Sequence, residues 1–146
     1  MPDIYIPAPV QVEVLQLANG YCEYCLYPES YASDFFHFDH IIPISKGGTS
    51  VLLNLARSCG RCNGFKAHYI KYFDNLTGKK TPLFNPRIDK WTEHFQWSDD
   101  DLLILGQTPT GRATADLLQL NRQNVVNLRQ LLKNGGLHPP KFSLSL

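Results

Sequence analysis

The stretch FHFDHIIPISKGG, residues 36–48, places an aspartate and a histidine side by side in an otherwise apolar segment. The aromatic alternation that leads to Asp39 and His40 favours a β-strand. Pro43 limits further strand pairing, and the Gly-Gly pair at the end of the stretch predicts a turn. By themselves, Asp39 and His40 could be a hydrogen-bonded core pair, the polar end of a strand, or part of a metal-assisted hydrolytic site. The flanking sequence decides between these interpretations.

Two Cys-x-x-Cys pairs flank this stretch, and they comprise all the cysteines of the chain: Cys22, Cys25, Cys59 and Cys62. In a reducing compartment this pattern predicts one structural zinc ion (Zn²⁺) held by four thiolates. Two disulfides or a redox dithiol are the alternatives, although a redox dithiol needs only one of the two pairs. A zinc ion would close residues 26–58 at their base, and Asp39 and His40 lie inside that excursion.

The composition suits a folded protein of one domain, with 146 residues of which 43% are hydrophobic and 12% aromatic. This apolar content is sufficient for a packed core and argues against a disordered chain. No apolar run approaches the roughly 18 residues that a membrane span requires. The N-terminal MPDIYIPAPV lacks the basic and apolar regions of a secretory signal. We therefore expect a cytoplasmic protein with reduced thiols and no membrane partner.

The net charge of +1 conceals an uneven distribution of charge along the chain. Residues 1–60 carry a net charge of −4, residues 61–90 carry +5, and residues 91–146 are balanced. The basic excess therefore follows directly after the second cysteine pair. A local basic stripe of this kind can bind phosphates in a nearly neutral protein, although an ordinary solvated segment has the same composition.

Local patterns predict the elements around the two cysteine pairs. Residues 8–18 suit a short helix, although their alternation also permits a strand. Residues 34–42 suit a strand because they are rich in aromatic residues and end before a proline. Apolar residues at helical spacing predict one helix over residues 61–73, followed by a polar loop over residues 75–82.

The C-terminal half predicts a hairpin and two helices. Residues 91–105 contain two apolar runs separated by a polar turn, which is typical of a β-hairpin. Thr108 and Pro109 suit an N-cap and the first residue of a helix that extends to about residue 120. A second helix is predicted over residues 122–133, where a Gly-Gly pair ends it.

The elements of the first half follow one another in the order of a known family. The paired Cys-x-x-Cys motifs enclose FHFDHIIPISKGG and then NL at residues 54–55, and the second pair continues as CGRCNGFK at residues 59–66. Residues 20–72 therefore resemble the HNH endonucleases of the His-Me finger type. The resemblance implies a ββα-metal core, in which two strands and a helix surround a catalytic divalent ion, beside a separate structural zinc site.

The expected fold class is thus α+β, a ββα-metal core with a structural zinc site followed by a small hairpin and a two-helix C-terminal extension. We expect residues 1–75 to form the zinc-stabilised core with its N-terminal helix. Residues 76–146 would form the extension, packed on the core so that the chain is a single compact domain.

The resemblance also implies a role for each matching residue. Asp39 and Asn63 would bind a catalytic Mg²⁺ or Mn²⁺ ion, for which carboxylate and carboxamide oxygens are suitable ligands. His40 would be the general base that activates water, and Asn54 would brace the loop and help to hold the His40 backbone. Such enzymes hydrolyse phosphodiester bonds and leave 5′-phosphate and 3′-hydroxyl ends.

Two further residues are candidates for contact with the substrate phosphate. Lys66 follows Asn63 by three residues, so on a helix both project toward roughly the same side. His37 precedes Asp39 by two residues, so on a strand both lie on the same face. The alternative for Lys66 is a solvated charge, and the alternative for Asn63 is a helix cap. His68 falls outside the helical face of Asn63, and we expect it at the surface.

The sequence thus predicts a metal-dependent HNH endonuclease that acts on DNA, with RNA as an alternative substrate. The modest basic surface suggests that a second copy of the chain or a protein partner could supply part of the binding. The alternative function is a zinc-stabilised nucleic-acid-binding module that does not cleave. The presence of Asp39, His40 and Asn63 favours the enzyme.

Overall fold

The computed structural model of the protein describes residues 5–141, which divide into two compact units. The first unit contains the described residues up to 70 together with residues 85–88. The second contains residues 71–84 and the described residues from 89 onwards. Helices and small antiparallel hairpins make up both units, so the predicted α+β fold class is confirmed. The proposed division after residue 75 and its single-domain packing stay predictions.

The first unit contains two strands and two helices. Helix α1 spans Ala8–Ala18, strand β1 His37–His40, strand β2 Leu55–Ser58 and helix α2 Gly60–Lys66. Strands β1 and β2 are antiparallel, with His37 opposite Ser58 and His40 opposite Leu55. Because α2 follows β2 after a single residue, the unit has the strand–strand–helix order of a ββα core, as the sequence predicts.

Residues 8–18 form a helix rather than the alternative strand. Val14 and Ala18 are buried four residues apart, which is the spacing of one helical face. Asn19 ends the helix in the left-handed conformation, with φ of 53°, and its backbone N–H donates to the Leu15 carbonyl. An asparagine tolerates this conformation and so provides a compact end to the helix.

The connection from β1 to β2 depends on a glycine that cannot be replaced without rearrangement. Gly47 ends a single helical turn with φ of 89°, where a residue without a side chain is unstrained. A Cβ atom at Gly48 would collide with the Ile42 carbonyl and the Asn54 amide. The Gly-Gly pair of the opening stretch therefore permits close approach of the backbone as well as a turn.

The prediction of a helix over residues 61–73 is correct only for the first half of that range. Helix α2 ends at Lys66, and the following Ala67 has φ of 46°, which is incompatible with a continuing right-handed helix. Tyr69 and Ile70 lie in the connection that follows α2. Phe73 belongs to strand β3, Lys71–Phe73, which pairs antiparallel with strand β4, Lys80–Pro82. The predicted polar loop at residues 75–82 is therefore a hairpin turn and its returning strand.

The second unit continues from this hairpin with the remaining elements. They are helix α3, Trp91–His94; strands β5, Phe95–Trp97, and β6, Ile104–Gly106; and helices α4, Pro109–Leu117, and α5, Gln123–Asn134. Strands β5 and β6 form the hairpin predicted over residues 91–105, but its first four residues are helical. The two predicted helices are present and begin where their start signals place them.

Side-chain packing and capping hold the second unit together. The Thr108 hydroxyl accepts the Gly111 N–H at 3.0 Å, so it caps α4, and Pro109 occupies the first turn of the helix. Phe84 and Phe95 pack edge to face at 5.3 Å in the buried interior. Arg129 is buried because the Leu120 and Leu102 carbonyls accept its guanidinium protons. None of the helices among the described residues has the length and apolar character to cross a membrane.

Candidate active site

The four cysteines form a buried cluster in the first unit. Their sulfur atoms all lie within 4.8 Å of one another, and Cys25 Sγ is 3.7 Å from Cys59 Sγ. In a tetrahedral thiolate site with Zn–S bonds of about 2.3 Å, neighbouring sulfurs are about 3.8 Å apart. The cluster therefore has the donor set and the dimensions of a zinc site.

Backbone geometry and burial both favour a metal at this cluster. The Cys62 N–H donates to Cys59 Sγ at 3.4 Å, so the second pair forms the first turn of α2. Burial raises the pKa of the Cys22 thiol well above its ordinary value, which makes a thiolate unfavourable unless a cation compensates its charge. None of the four cysteines forms a disulfide, and their sulfurs converge on one point, an arrangement that neither separate disulfides nor a single redox dithiol explains.

Asp39 lies in the interior of the same unit, on strand β1. Its side chain is 6% exposed. The Tyr24 hydroxyl donates to Asp39 Oδ2 at 2.7 Å, and the Lys66 ammonium lies 3.2 Å from the same oxygen. Burial raises the pKa of the Asp39 carboxyl above its ordinary value, although the Lys66 charge and the Tyr24 hydrogen bond oppose this shift. Burial of the ionised carboxylate therefore costs free energy, and the contacts with these two partners reduce that cost.

Lys66 is buried at the end of α2, and its ammonium group is surrounded by hydrogen-bond acceptors. Its ammonium contacts the Asp39 carboxylate and also donates to the His40 carbonyl at 3.2 Å and the Ile41 carbonyl at 3.0 Å. An ammonium group has three protons, so these acceptors account for all of them. Phosphate contact by Lys66 stays a prediction, and in this conformation its charge faces β1 rather than solvent.

His40 is half-buried at the end of β1, and its ring contacts Ser50. The His40 Nε2 atom is 2.9 Å from Ser50 Oγ. When the serine oxygen accepts this hydrogen bond, Nε2 carries the proton and Nδ1 keeps a free lone pair. Burial lowers the pKa of His40 below its ordinary value, more than the nearby Asp39 carboxylate raises it. The ring is therefore neutral near pH 7, which is the state that can accept a proton.

Asn54 connects both ends of the loop that follows β1. Its amide donates to the Ile42 carbonyl at 3.0 Å and to the Thr49 carbonyl at 2.9 Å, while its side-chain oxygen accepts the Ile42 N–H at 2.8 Å. The Asn54 backbone carbonyl also accepts the Ile41 N–H. The asparagine thus bridges the backbone that directly follows His40.

Asn63 and His37 have no side-chain hydrogen bonds to other described residues. Asn63 lies on α2 and is half-buried, and no hydrogen bond joins it to Asp39. His37 is exposed at the start of β1. Four of the six predicted active-site residues therefore have side-chain hydrogen bonds: Asp39 and Lys66 contact each other, His40 contacts Ser50, and Asn54 contacts the loop backbone. Asn63 and His37 have none to other described residues.

Comparison with known proteins bears on this region. Residues 22–69 match the model of the HNH endonuclease family. The match begins at the first cysteine and includes β1, β2, α2 and both cysteine pairs. We refer to residues 22–69, which this family model matches, as the HNH domain. No curated protein and no solved structure matches the chain.

Two polar residues of the HNH domain are missing from the sequence-based site. Tyr24 lies between the first two cysteines, where the Cys-x-x-Cys spacing reveals nothing about its hydroxyl. Ser50 lies two residues after the Gly-Gly pair and appears in the sequence as an ordinary turn residue. Each is recognisable only from its contact, Tyr24 with Asp39 and Ser50 with His40.

Asp39 and Asn63 carry oxygen atoms of the kinds that bind divalent ions. A carboxylate offers about four acceptor positions, and the contacts of Asp39 with Tyr24 and Lys66 occupy three of them. One position on Oδ1 remains, and the Asn63 carboxamide is unengaged on the adjacent helix. Hard oxygen ligands of these two kinds suit Mg²⁺ or Mn²⁺.

We expect one zinc ion per chain in the reduced, folded protein, because four thiolates complete a tetrahedral site. Elemental analysis of the purified protein measures this stoichiometry. Cys22→Ser should lower both the zinc content and the thermal unfolding temperature. Reduced, folded protein without bound zinc would contradict the assignment of the cluster.

Lys66→Met should lower the free energy of unfolding by about 3 kcal/mol, because it leaves the Asp39 carboxylate buried without its cation. Lys46→Met is the matched control, since Lys46 is exposed in the same unit, and should change the free energy by less than about 0.5 kcal/mol. The double variant Asp39→Asn/Lys66→Met should recover most of the loss. Denaturant titration measures all three, and equal stability of the two single variants would exclude the ion pair as a structural element.

Proposed function

We propose that this protein is a metal-dependent endonuclease that hydrolyses phosphodiester bonds in DNA. The observation that carries the proposal is the pairing of an HNH domain with a neutral, half-buried His40 whose Nε2 atom is held by Ser50. A general base needs a fixed ring and a free lone pair, and this arrangement supplies both. The structural zinc cluster would keep the strands and α2 in register around the base.

In the proposed reaction, His40 Nδ1 accepts a proton from a water molecule as the water oxygen attacks the phosphorus atom. The bond between phosphorus and the 3′-oxygen breaks, which leaves a 5′-phosphate and a 3′-hydroxyl after protonation of the leaving oxygen. With the Ser50 oxygen as acceptor of the hydrogen bond, the His40 ring is in the tautomer that has its lone pair at Nδ1. Asn54 fixes the backbone of residues 41–49, and so the position of the ring relative to the strand.

Asp39 and Asn63 are the proposed ligands of a catalytic Mg²⁺ or Mn²⁺ ion. When bound, such an ion would stabilise the charge that develops on the phosphate and the leaving oxygen. Asp39 is oriented by Tyr24, which donates to Oδ2, while Lys66 contacts both carboxylate oxygens. Lys66 and His37 remain proposed contacts of the substrate phosphate, and Lys66 would have to leave Asp39 in order to reach it.

A second function is a zinc-stabilised module that binds nucleic acid without cleaving it. The ion pair between Lys66 and Asp39 favours this alternative, because the lysine already neutralises the carboxylate that a metal would need. Under both functions, RNA is an alternative ligand. A second copy of the chain or a protein partner could also supply part of the binding surface. Cleavage assays distinguish the two functions directly.

The enzyme should nick supercoiled plasmid when Mg²⁺ or Mn²⁺ is present and should be inactive when neither ion is added. His40→Ala should reduce the rate of nicking by roughly 10²- to 10⁴-fold, because that is the usual contribution of a general base. Gel electrophoresis of the plasmid over time measures the rate. His68→Ala is the matched control, since His68 is exposed in the same unit, and it should keep the wild-type rate.

Circular dichroism would verify that both histidine variants are folded. Unchanged nicking by His40→Ala would refute its role as the base. Plasmid that is bound but never nicked by the wild-type protein, with either metal, would instead favour the non-cleaving module.

Ser50→Ala should lower kcat by roughly 10- to 100-fold and leave KM little changed, since a misoriented base affects the chemical step rather than binding. Ser50→Thr keeps the hydroxyl and should retain most of the activity. Ser45→Ala removes an exposed serine from the same loop and serves as the control. Nicking rates measured over a range of plasmid concentrations separate kcat from KM. Equal losses in the alanine and threonine variants of Ser50 would show that the hydroxyl does not position His40.

A further inference from the structure

One face of the β3–β4 hairpin is basic, aromatic and exposed. The register places Lys71 opposite Pro82 and Phe73 opposite Lys80. Side chains two residues apart on a strand share a face, as do directly opposite partners. These four residues therefore lie on one face, and all four are exposed. Lys79 lies in the turn just before β4 and is also exposed. We call these five residues the hairpin surface.

The lysines of the hairpin surface are available to a ligand. None of Lys71, Lys79 and Lys80 forms an ion pair with a carboxylate in the part of the chain that the structure describes. The Lys80 ammonium lies 5.4 Å from the centre of the Phe73 ring, which is the distance of a cation–π contact. The surface thus combines positive charge with an aromatic ring that is 52% exposed.

The acidic residue of the hairpin does not oppose this charge. Asp74 is buried, and the Arg112 guanidinium donates to both of its oxygens, at 2.7 and 3.1 Å. This contact holds the pKa of the Asp74 carboxyl well below its usual range, so the carboxylate stays ionised and its charge is matched by Arg112. The positive charge of the three lysines is therefore not cancelled within the hairpin.

The hairpin is also fixed on the rest of its unit. Asp74 accepts the Leu76 and Thr77 N–H groups as well as the Arg112 guanidinium, so one buried carboxylate ties the turn to α4. On the opposite face of the hairpin, the Thr81 and Thr110 hydroxyls are 3.3 Å apart. The exposed face is thus presented by a rigid support, which reduces the entropy lost when a ligand binds.

We propose that the hairpin surface binds single-stranded nucleic acid, with Phe73 stacked on a base and Lys71, Lys79 and Lys80 in contact with phosphates. Proteins that bind single strands combine a positively charged track with exposed aromatic rings, because every unpaired base offers a π-face. An acidic polypeptide would use the lysines but would offer no flat partner for the ring. In a base-paired duplex the faces of the bases are stacked on one another and cannot reach Phe73.

This inference deepens the proposed function, since it assigns the nuclease a substrate that contains unpaired nucleotides. Binding itself does not depend on cleavage. It can therefore be measured without Mg²⁺ or Mn²⁺, so that failure of the nuclease proposal and failure of this one give different results.

The test is fluorescence anisotropy of the full chain with labelled oligothymidylate of about 20 nucleotides and with a duplex of the same length. Phe73→Leu should weaken binding of the single strand by about 5- to 150-fold, as expected for the loss of one stacked base, and should change duplex binding by less than about twofold. Phe35→Leu is the matched control because Phe35 is 88% exposed in the other unit.

The lysines are tested by the salt dependence of the same binding. Each of Lys71→Gln and Lys80→Gln should lower the slope of log K against log salt by about 0.7, because each removes one phosphate contact from a single strand. Lys90→Gln, at an exposed lysine outside the hairpin in the same unit, should keep the wild-type slope.

Three results would overturn the proposal. The first is wild-type protein that does not bind the single strand, and the second is wild-type affinity in Phe73→Leu. The third is an equal effect of the lysine variants on single strands, duplexes and polyglutamate, which would indicate a general anion surface. If the protein nicks plasmid but Phe73→Leu does not change the binding of the single strand, the nuclease function is retained and only this inference is refuted.

Discussion

Convergence of the four cysteine sulfurs on one point is the constraint on which the HNH domain depends. The two strands of this unit are each four residues long, and an isolated two-stranded sheet is marginally stable in water. The cysteine cluster joins residue 22 to residue 62, so it closes the whole excursion that carries β1, the glycine turn and β2. Metal binding at the cluster would therefore add folding free energy to this unit.

The same compact unit keeps a carboxylate in its interior, and that placement has a physical cost. Burial disfavours the charged form of Asp39, and Lys66 and Tyr24 only partly compensate. A site selected for stability alone would be filled more favourably by apolar side chains. A fixed carboxylate next to α2 is what the proposed metal-binding role of Asp39 would need. Lys66 then links that function to the fold, because its ammonium also joins the end of β1 to the end of α2.

Asp39 and His40 are adjacent in sequence but have separate surroundings. Successive residues of a strand project to opposite sides, and here Asp39 faces Tyr24 and Lys66 while His40 contacts Ser50. This separation gives the carboxylate a buried, paired environment and leaves the histidine half-buried and neutral. Two neighbouring residues can therefore take different chemical roles, one suited to holding a cation and the other to accepting a proton.

The sequence by itself determined the α+β class, the cysteine cluster and the HNH domain, because these depend on the spacing of a few residues with distinctive chemistry. Thr108 and Pro109 likewise predicted the start of α4, since capping is a local interaction. Only the tertiary structure decided where α2 ends. The apolar residues after Lys66 have helical spacing, but the positive φ of Ala67 ends the helix and residues 71–73 pair with β4.

The contacts of the candidate site were also decided by the tertiary structure. Tyr24 and Ser50 lie in or near sequence motifs that do not mark their hydroxyls, and they matter because folding brings these hydroxyls to Asp39 and His40. The sequence predicted Lys66 as a phosphate contact, with a solvated charge as the alternative, yet its ammonium is buried against a carboxylate and two carbonyls. Residue type and spacing determine which chemistry is available, whereas burial and hydrogen-bond partners, which depend on distant parts of the chain, determine the state in which each group is held.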